Sequence, residues 1–128
     1  MKIPFRFIAG LLLMASLLAA TSVRAEPEPA VQTLFQKLIT ILAKNDYEGF
    51  VAECMPTRKS VTTKAVFAEL SQKVAPRAKG GYDAQFFGDY KQKGHAAYIW
   101  RLRFKDGGDD VMATLATTDG KCSLLFLH

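Results

Sequence analysis

The spacing of apolar residues changes at Tyr82, and this change restricts the fold more than any other feature of the chain. Before Tyr82, apolar residues recur every three or four positions, as in amphipathic helices. From Tyr82 onward they alternate, as in strands. Short segments rich in Gly and Asp separate the alternating runs, so consecutive strands should be antiparallel neighbours. The pattern predicts an α+β domain in which three N-terminal helices pack on one face of a curved four-stranded antiparallel meander.

The three predicted helices are bounded by capping residues and prolines. The first spans residues 31–44, and Asp46 can cap the second, which Pro56 should end. Thr62 or Thr63 can cap the third, which should end before Pro76, with a flexible basic loop at 77–81. The residues predicted to face inward are Val31, Leu34, Phe35, Leu38, Ile41 and Leu42, then Tyr47, Phe50, Val51 and Cys54, then Val66, Phe67, Leu70 and Val74.

Four strands are predicted in the spatial order 1-2-3-4, and the lengths of their connections predict their register. The strands are Tyr82–Tyr90, His95–Lys105, Asp110–Thr118 and Lys121–Leu127. A three-residue loop with Gly94 in the left-handed conformation should join the first two, and two-residue turns should join the others. This register pairs Phe86 with Trp100, Phe87 with Ile99, Asp83 with Arg103, Phe104 with Val111, Trp100 with Leu115, Lys105 with Asp110, Leu115 with Leu124, Ala113 with Phe126, and Thr117 with Cys122.

The predicted register leaves apolar side chains on both faces of the sheet. The face toward the helices includes Tyr98, Trp100, Leu102, Leu124 and Phe126. The opposite face is expected to carry an apolar patch with a charged rim, which is typical of an interface. We therefore predict a homodimer through the outer face, with the alternative that the N-terminal arm or a loop covers it. The predicted interface residues are Phe87, Ile99, Arg101, Met112, Leu125 and Leu127.

Residues 1–25 are typical of a secretory signal peptide. Lys2 and Arg6 precede an apolar run, and Val23-Arg24-Ala25 places small residues where a signal peptidase reads them. The apolar run of about 14 residues is short for a membrane span. We expect a periplasmic or secreted chain, cleaved near Ala25, with no stable membrane anchor. It would consist of an extended lead at 26–30 and one domain at 31–128.

Cleavage at Ala25 also changes the charge argument. It removes Lys2, Arg6 and Arg24 and no acid, so the formal net charge falls from +5 to +2. The remaining basic strip on the strands is balanced by nearby acids. We therefore expect no nucleic-acid partner.

Cys54 and Cys122 are the two cysteines of the chain. In an oxidising compartment a pair of thiols tends to form a disulfide, and the alternative is two buried thiols. Cys54 is predicted on the inward side of the second helix and Cys122 on the inner face of the sheet. The predicted geometry therefore allows the bridge.

The sequence contains no recognised motif for catalysis, metal binding or a cofactor. Phosphate loops, zinc motifs and a serine nucleophile elbow are absent, and the two histidines, His95 and His128, lie at a turn and at the terminus. We therefore predict no catalytic residue, no metal and no cofactor. An aromatic set could line a pocket for a small apolar ligand between helices and sheet, with packing in the core as the alternative. This set is Tyr47, Phe67, Tyr98 and Trp100.

The order of elements resembles the nuclear transport factor 2-like superfamily, within the broader cystatin-like α+β group, and most of all its small exported bacterial members. The resemblance is carried by residues 31–44, Asn45 to Phe50, Thr63 to Val74, Tyr98 to Leu102, Lys105 to Gly107, and Asp119 to Lys121. It implies a cone with a pocket between helices and sheet, and often a dimer formed through the sheet. Some members are enzymes and many only bind ligands or partners.

Two functions are open at this point. The first is an exported, non-catalytic domain that dimerises through its sheet and binds a small apolar ligand or a protein partner. The second is an isomerase- or dehydratase-like enzyme with its pocket inside the cone. A buried carboxylate or histidine in a cavity would favour the enzyme, whereas a filled interior would favour an interaction protein.

Overall fold

The computed structural model of the chain describes residues 26–54 and 64–128. Its elements are helices α1 (Pro29–Ala43), α2 (Tyr47–Glu53) and α3 (Lys64–Ala78), then strands β1 (Tyr82–Gln92), β2 (His95–Phe104), β3 (Val111–Thr118) and β4 (Lys121–Leu127). The strands form one antiparallel sheet in the order β1-β2-β3-β4. The predicted α+β fold is therefore confirmed. The predicted signal peptide, Pro56, Thr62 and Thr63 lie outside the described residues.

Helix α1 begins inside the segment predicted to be an extended lead. Pro29 occupies its first position, where no backbone N–H is needed and the fixed φ of proline suits the helix. The Glu28 carbonyl accepts hydrogen bonds from the N–H groups of Val31 and Gln32. All six predicted inward residues of this helix are buried, and Ile39 joins them.

The cap of α2 is confirmed. Asp46 Oδ1 accepts a 3.0 Å hydrogen bond from the N–H of Gly49, which satisfies one of the free donors at the helix start. A Cβ at Gly49 would lie 2.3 Å from Asp46 Oδ2, so the carboxylate can approach this closely only because residue 49 is glycine.

The prediction that α3 ends before Pro76 is wrong. The helix continues to Ala78. Pro76 lies in the last turn, where it removes only one backbone hydrogen bond. The next residue, Arg77, is held in place by its hydrogen bonds to Asp106, in the connection between β2 and β3. The prediction that Val66 faces inward is also wrong, because Val66 is 44% exposed. Ser71, which was not among the predicted inward residues, is buried and donates a 2.6 Å hydrogen bond to the Leu42 carbonyl.

The first hairpin has the predicted register near its open end but a different turn. Phe86 lies opposite Trp100 as predicted, whereas Ile99 lies opposite Gly88 instead of Phe87. Phe87 is the extra residue of a β-bulge, and the turn is a two-residue turn at Lys93 and Gly94, both with positive φ. The predicted three-residue loop is therefore wrong. The bulge adds one residue to β1 and the turn is one residue shorter than predicted. The pairs from Tyr82 to Phe86 therefore keep the predicted register.

The connection between β2 and β3 is longer than predicted. Leu102, not Phe104, lies opposite Val111, and Tyr98, not Trp100, lies opposite Leu115. The predicted pair of Lys105 and Asp110 is likewise absent from the described ladder. The loop is held open by the Asp106 carboxylate, which accepts hydrogen bonds from Arg77 and from the N–H of Gly108. Because the register moves by two residues, each side chain of β3 stays on its predicted face.

A second bulge reverses the faces of β4. The pair Thr117–Cys122 is confirmed, but beyond the extra residue Ser123 the partners of Leu115 and Ala113 become Leu125 and Leu127. Leu125 and Leu127 are 8% and 1% exposed, and Leu124 and Phe126 are 37% and 53% exposed. The predicted placement of Leu124 and Phe126 inside, and of Leu125 and Leu127 in a dimer interface, is wrong.

Side chains fill the space between the helices and the sheet. Trp100 stacks on Phe35 with parallel rings whose centroids are 3.9 Å apart. The bulkiest fully buried side chains are Trp100, Phe35, Leu38, Ile39, Leu42, Leu102, Leu115, Leu127 and Val74. This continuous core leaves the concave features of the described chain at its periphery.

Candidate functional site

The sheet face that points away from the helices, here called the outer face, carries most of the exposed apolar bulk of the described chain. Its four large exposed side chains are Phe87 (52%), Tyr90 (43%), Leu124 (37%) and Phe126 (53%). Half-buried Ile99 and Met112 lie between them on the two central strands. The apolar surface therefore spans all four strands, and exposed contiguous patches of this kind mark interaction sites.

The charged groups at one end of the outer face are paired within the chain. Arg103 contacts Asp110 at 3.3 Å, and Arg101 Nε lies 3.7 Å from the same carboxylate. The hydrogen bonds from Arg103 lower the pKa of Asp110, and the same contacts raise the pKa of Arg103. Arg101 also donates to Gln85 and lies 5.4 Å from the centre of the Phe87 ring. These arginines border the apolar patch without adding unpaired charge to it.

A shallow groove of about 380 Å³ crosses the other end of the outer face. Tyr90 and Leu124 form part of its walls, and the small side chains of Ala97 and Ala116 are buried at 6% and 8% exposure. His95 also lines the groove, and its Nδ1 lies 3.3 Å from Thr118 Oγ1. The groove can accept a protruding apolar side chain of a binding partner.

The four aromatic residues predicted to line one ligand pocket lie in two separate groups. Tyr47 and Phe67 contact each other edge to face, with centroids 5.6 Å apart, at the α2–α3 side. They border an open cleft of about 390 Å³. Tyr98 and Trp100 lie on β2 and contact Phe86 of β1, and both are less than 9% exposed. The described structure does not bring the two groups together around one cavity.

A larger cleft, of about 530 Å³, lies at the start of the described chain beside the edge strand β1. Gln32 lines it and accepts a 3.3 Å hydrogen bond from the indole Nε1 of Trp100. The remaining lining residues are Glu26, Pro27, Pro29, Ala84, Gln85, Phe86 and Trp100.

The two cysteines lie side by side. Cys54, just after α2, forms an isolated parallel β-bridge with Cys122 of β4, and both side chains are buried. Bridged backbones in a sheet are about 5 Å apart, within the Cα separation that a disulfide requires.

One arginine fastens α3 to the loop between β2 and β3. Arg77 donates to both carboxylate oxygens of Asp106, at 2.7 and 3.0 Å, and to the Asp109 carbonyl at 2.7 Å. Its guanidinium also lies 4.3 Å from the centre of the Phe104 ring. The hydrogen bonds from Arg77 are the largest cause that lowers the pKa of Asp106, to about 2.

The carboxylates and histidines of residues 26–54 and 64–128 lie at or near the surface. Glu53 is half-buried and pairs with Lys37, and every other described Asp, Glu and His is exposed. Within these ranges no group of three or more His, Cys, Asp or Glu could hold a metal ion. None of the described helices has both the length and the hydropathy of a membrane span.

Sequence reasoning missed three of the four exposed residues of the outer face. Tyr90 was predicted only as a strand end, and Leu124 and Phe126 were assigned to the core. The run Leu124 to Leu127 is wholly apolar, so its pattern contains no alternation from which to choose a face. For β1 a usable signal existed, because a glycine inside a strand, here Gly88, often marks a bulge.

Solved structures include chains similar to this one. No protein-family model and no curated protein matches the chain. Among solved structures, the chain is similar to the solution structure of a SEC-C motif containing protein from Rhodopseudomonas palustris. The identity is 14% and the TM-score is 0.42, over 73% of this chain and 74% of that chain.

Proposed function

We propose that this chain is an exported, non-catalytic interaction domain that forms a homodimer through the outer face. The observation that carries the proposal is the exposure of Phe87, Tyr90, Leu124 and Phe126 on one side of one sheet. A dimer with two-fold symmetry needs only one such patch, because the same surface is used on both subunits. The resemblance to the nuclear transport factor 2-like superfamily supports the same mode of association.

The size of the outer face agrees with a weak or moderate dimer. Four strands of about seven residues cover roughly 19 by 24 Å, so two faces bury on the order of 1,000 Å². That area is near the lower limit for a specific protein interface. In this dimer the exposed Phe126 side chain of one subunit packs into the groove between Tyr90 and Leu124 of the other.

A ligand held between the helices and the sheet is not part of the proposal, because side chains occupy that space. The enzyme alternative depended on a carboxylate or histidine inside a cavity. In the described ranges these groups lie at the surface. Export follows from the signal-like residues 1–25 and is tested by the mass of the exported chain, which should begin at Glu26.

Light scattering of the purified chain tests the dimer. At about 50 μM we expect a mass near two subunits for the wild type and near one for Phe126→Asp, because a buried unpaired charge opposes association. Val66→Asp is the matched control, since Val66 is 44% exposed on α3, away from the sheet. A wild-type mass near one subunit, or a Phe126→Asp variant that remains dimeric, would overturn the proposal.

A further inference from the structure

The free edge of β1 borders the 530 Å³ cleft at the start of the described chain. β1 is an outer strand of the sheet, so one of its long sides has no strand beside it. The cleft is lined there by Ala84, Gln85 and Phe86, with Trp100 behind them and Gln32 of α1 opposite. An edge of this kind is a template for one more strand.

The pairing of β1 with β2 determines which backbone groups face the cleft. The N–H of Lys105 donates a 3.0 Å hydrogen bond to the Gly81 carbonyl, on the same antiparallel ladder. Every second residue from Gly81 to Gln85 therefore directs its N–H and C=O toward β2. Ala84 and Phe86 direct theirs away from the sheet, toward the cleft.

The N-terminal lead lies near this edge but does not pair with it. Pro27 and Pro29 have no N–H to donate. In the described part of the chain, no backbone hydrogen bond joins the lead to β1. Among residues 26–54 and 64–128, no backbone group thus pairs with the free-edge polar groups of Ala84 and Phe86.

Two carboxylates lie near the aromatic wall of the cleft. Glu28 and Asp89 both act on Tyr98, whose pKa is raised mainly by burial and then by these two carboxylates. Tyr98 packs against Phe86 and Trp100, which line the cleft. The lining also includes Glu26, whose carboxylate is balanced by the α-amino group in a chain that begins there, and no Lys or Arg. An occupant with basic side chains would be attracted there.

From these features we propose that the free edge of β1 binds an extended basic peptide segment of a partner protein. The segment adds a fifth strand that exchanges backbone hydrogen bonds with Ala84 and Phe86. Of its two side chains that point toward the helices, one is apolar and packs on Phe86, and the other is a Lys or Arg that lies near Glu28 and Asp89. This binding mode uses main-chain hydrogen bonds for affinity and alternate side chains for specificity. It is separate from the dimer through the outer face.

The probe is the capped pentapeptide Thr-Val-Thr-Lys-Thr, titrated into the purified chain, because its Val and Lys side chains lie on the same face of a strand. Trp100 is the only tryptophan and is bonded to Gln32 in the cleft, so its fluorescence reports binding at this site. We expect a saturable change in emission. The same peptide with alternate backbone nitrogens methylated should bind at least about 10-fold more weakly, because it cannot donate to β1. A Thr-Val-Thr-Glu-Thr peptide should not bind.

Two variants of one position provide the matched test on the protein side. Ala84→Pro removes an N–H that faces the cleft, so it leaves the β2 ladder intact and should weaken the lysine peptide about 10-fold. Ala84→Val keeps the N–H, so it should bind the lysine peptide about 10-fold more tightly than Ala84→Pro does. Phe126→Asp should also bind normally, whatever its oligomeric state.

Three results would each overturn the proposal. They are the absence of a saturable signal with the lysine peptide, equal binding of the methylated or the glutamate peptide, and equal binding by Ala84→Pro and Ala84→Val. If Ala84→Pro does not fold, the methylated peptide decides the question with the wild-type chain alone. None of these results depends on whether the chain dimerises.

Discussion

At the scale of single residues, Arg77 shows how one side chain joins two parts of the fold that are distant in sequence. It completes the last turn of α3 beyond Pro76, and it closes the loop between β2 and β3 through Asp106 and Asp109. A Cβ on Gly108 would lie 2.8 Å from Arg77 Nη2, so the loop needs glycine there for this approach. Neither the helix extension nor the open loop follows from local pattern, because both depend on this contact.

The contact predicts a dependence of stability on pH. The pKa of Asp106 is about 2 in the folded chain, against an ordinary value of 3.8. Its stabilising effect is therefore complete above about pH 5 and is lost as the pH falls through 4 toward 2. We expect Asp106→Asn to lower the urea midpoint at pH 7 and to differ little from the wild type at pH 2.

Glu69→Gln serves as the control for this experiment, because it removes an exposed carboxylate from α3. Its urea midpoint should follow that of the wild type at both pH values. A difference between Asp106→Asn and the wild type that is equally large at pH 7 and pH 2 would contradict the assigned role of the ion pair.

At the scale of elements, the strength of the apolar pattern decided how much could be predicted. The stripe of α1 repeats over four turns, and every residue assigned to it is buried. In β1 the predicted pairs from Tyr82 to Phe86 are confirmed because two errors, in the turn and at the bulge, offset each other. In β4 no such compensation exists, so the faces of Leu124 to Leu127 were reversed.

The reversed faces of β4 can be tested with two neighbouring residues. Leu127→Ala removes a side chain that is 1% exposed and should lower the free energy of unfolding by about 2–5 kcal/mol. Phe126→Ala removes a larger side chain that is 53% exposed, and should change the stability of the monomer by less than about 0.5 kcal/mol. Urea unfolding at low protein concentration measures both changes. A larger loss of stability for Phe126→Ala than for Leu127→Ala would instead support the register predicted from the sequence.

At the scale of the whole molecule, the four elements of the candidate site follow from one arrangement. The helices cover one face of the sheet and leave four features at the surface, namely the outer face, the groove across it, the β1 edge and the cleft beside that edge. The four strands contain more apolar residues than one core face of the sheet can hold. The sequence therefore predicts that the outer face is also apolar. It could not predict which of them are exposed, since that depends on bulges, and it gave no sign of the cleft.

A disulfide between Cys54 and Cys122 remains a prediction at this scale. It would join α2 to β4 across a loop of about 68 residues, for which chain entropy gives roughly 4 kcal/mol of stabilisation. In the exported chain, denatured without reductant, we expect no thiol to react with N-ethylmaleimide, and two to react after reduction. Two adducts without reduction would show that the thiols stay reduced, and Cys54→Ser should leave one reactive thiol in both cases.

The bulge at Ser123 has a consequence for how this surface changes over generations. Deleting that one codon would remove the extra residue and leave Leu124 to Leu127 opposite their present partners, so the outer face would keep its side chains. One residue gained or lost after Leu124 would instead exchange the sides of every residue that follows it in the strand. Descendants that lack residue 123 should therefore retain the same binding surface, whereas those with a changed length later in β4 should present a different one.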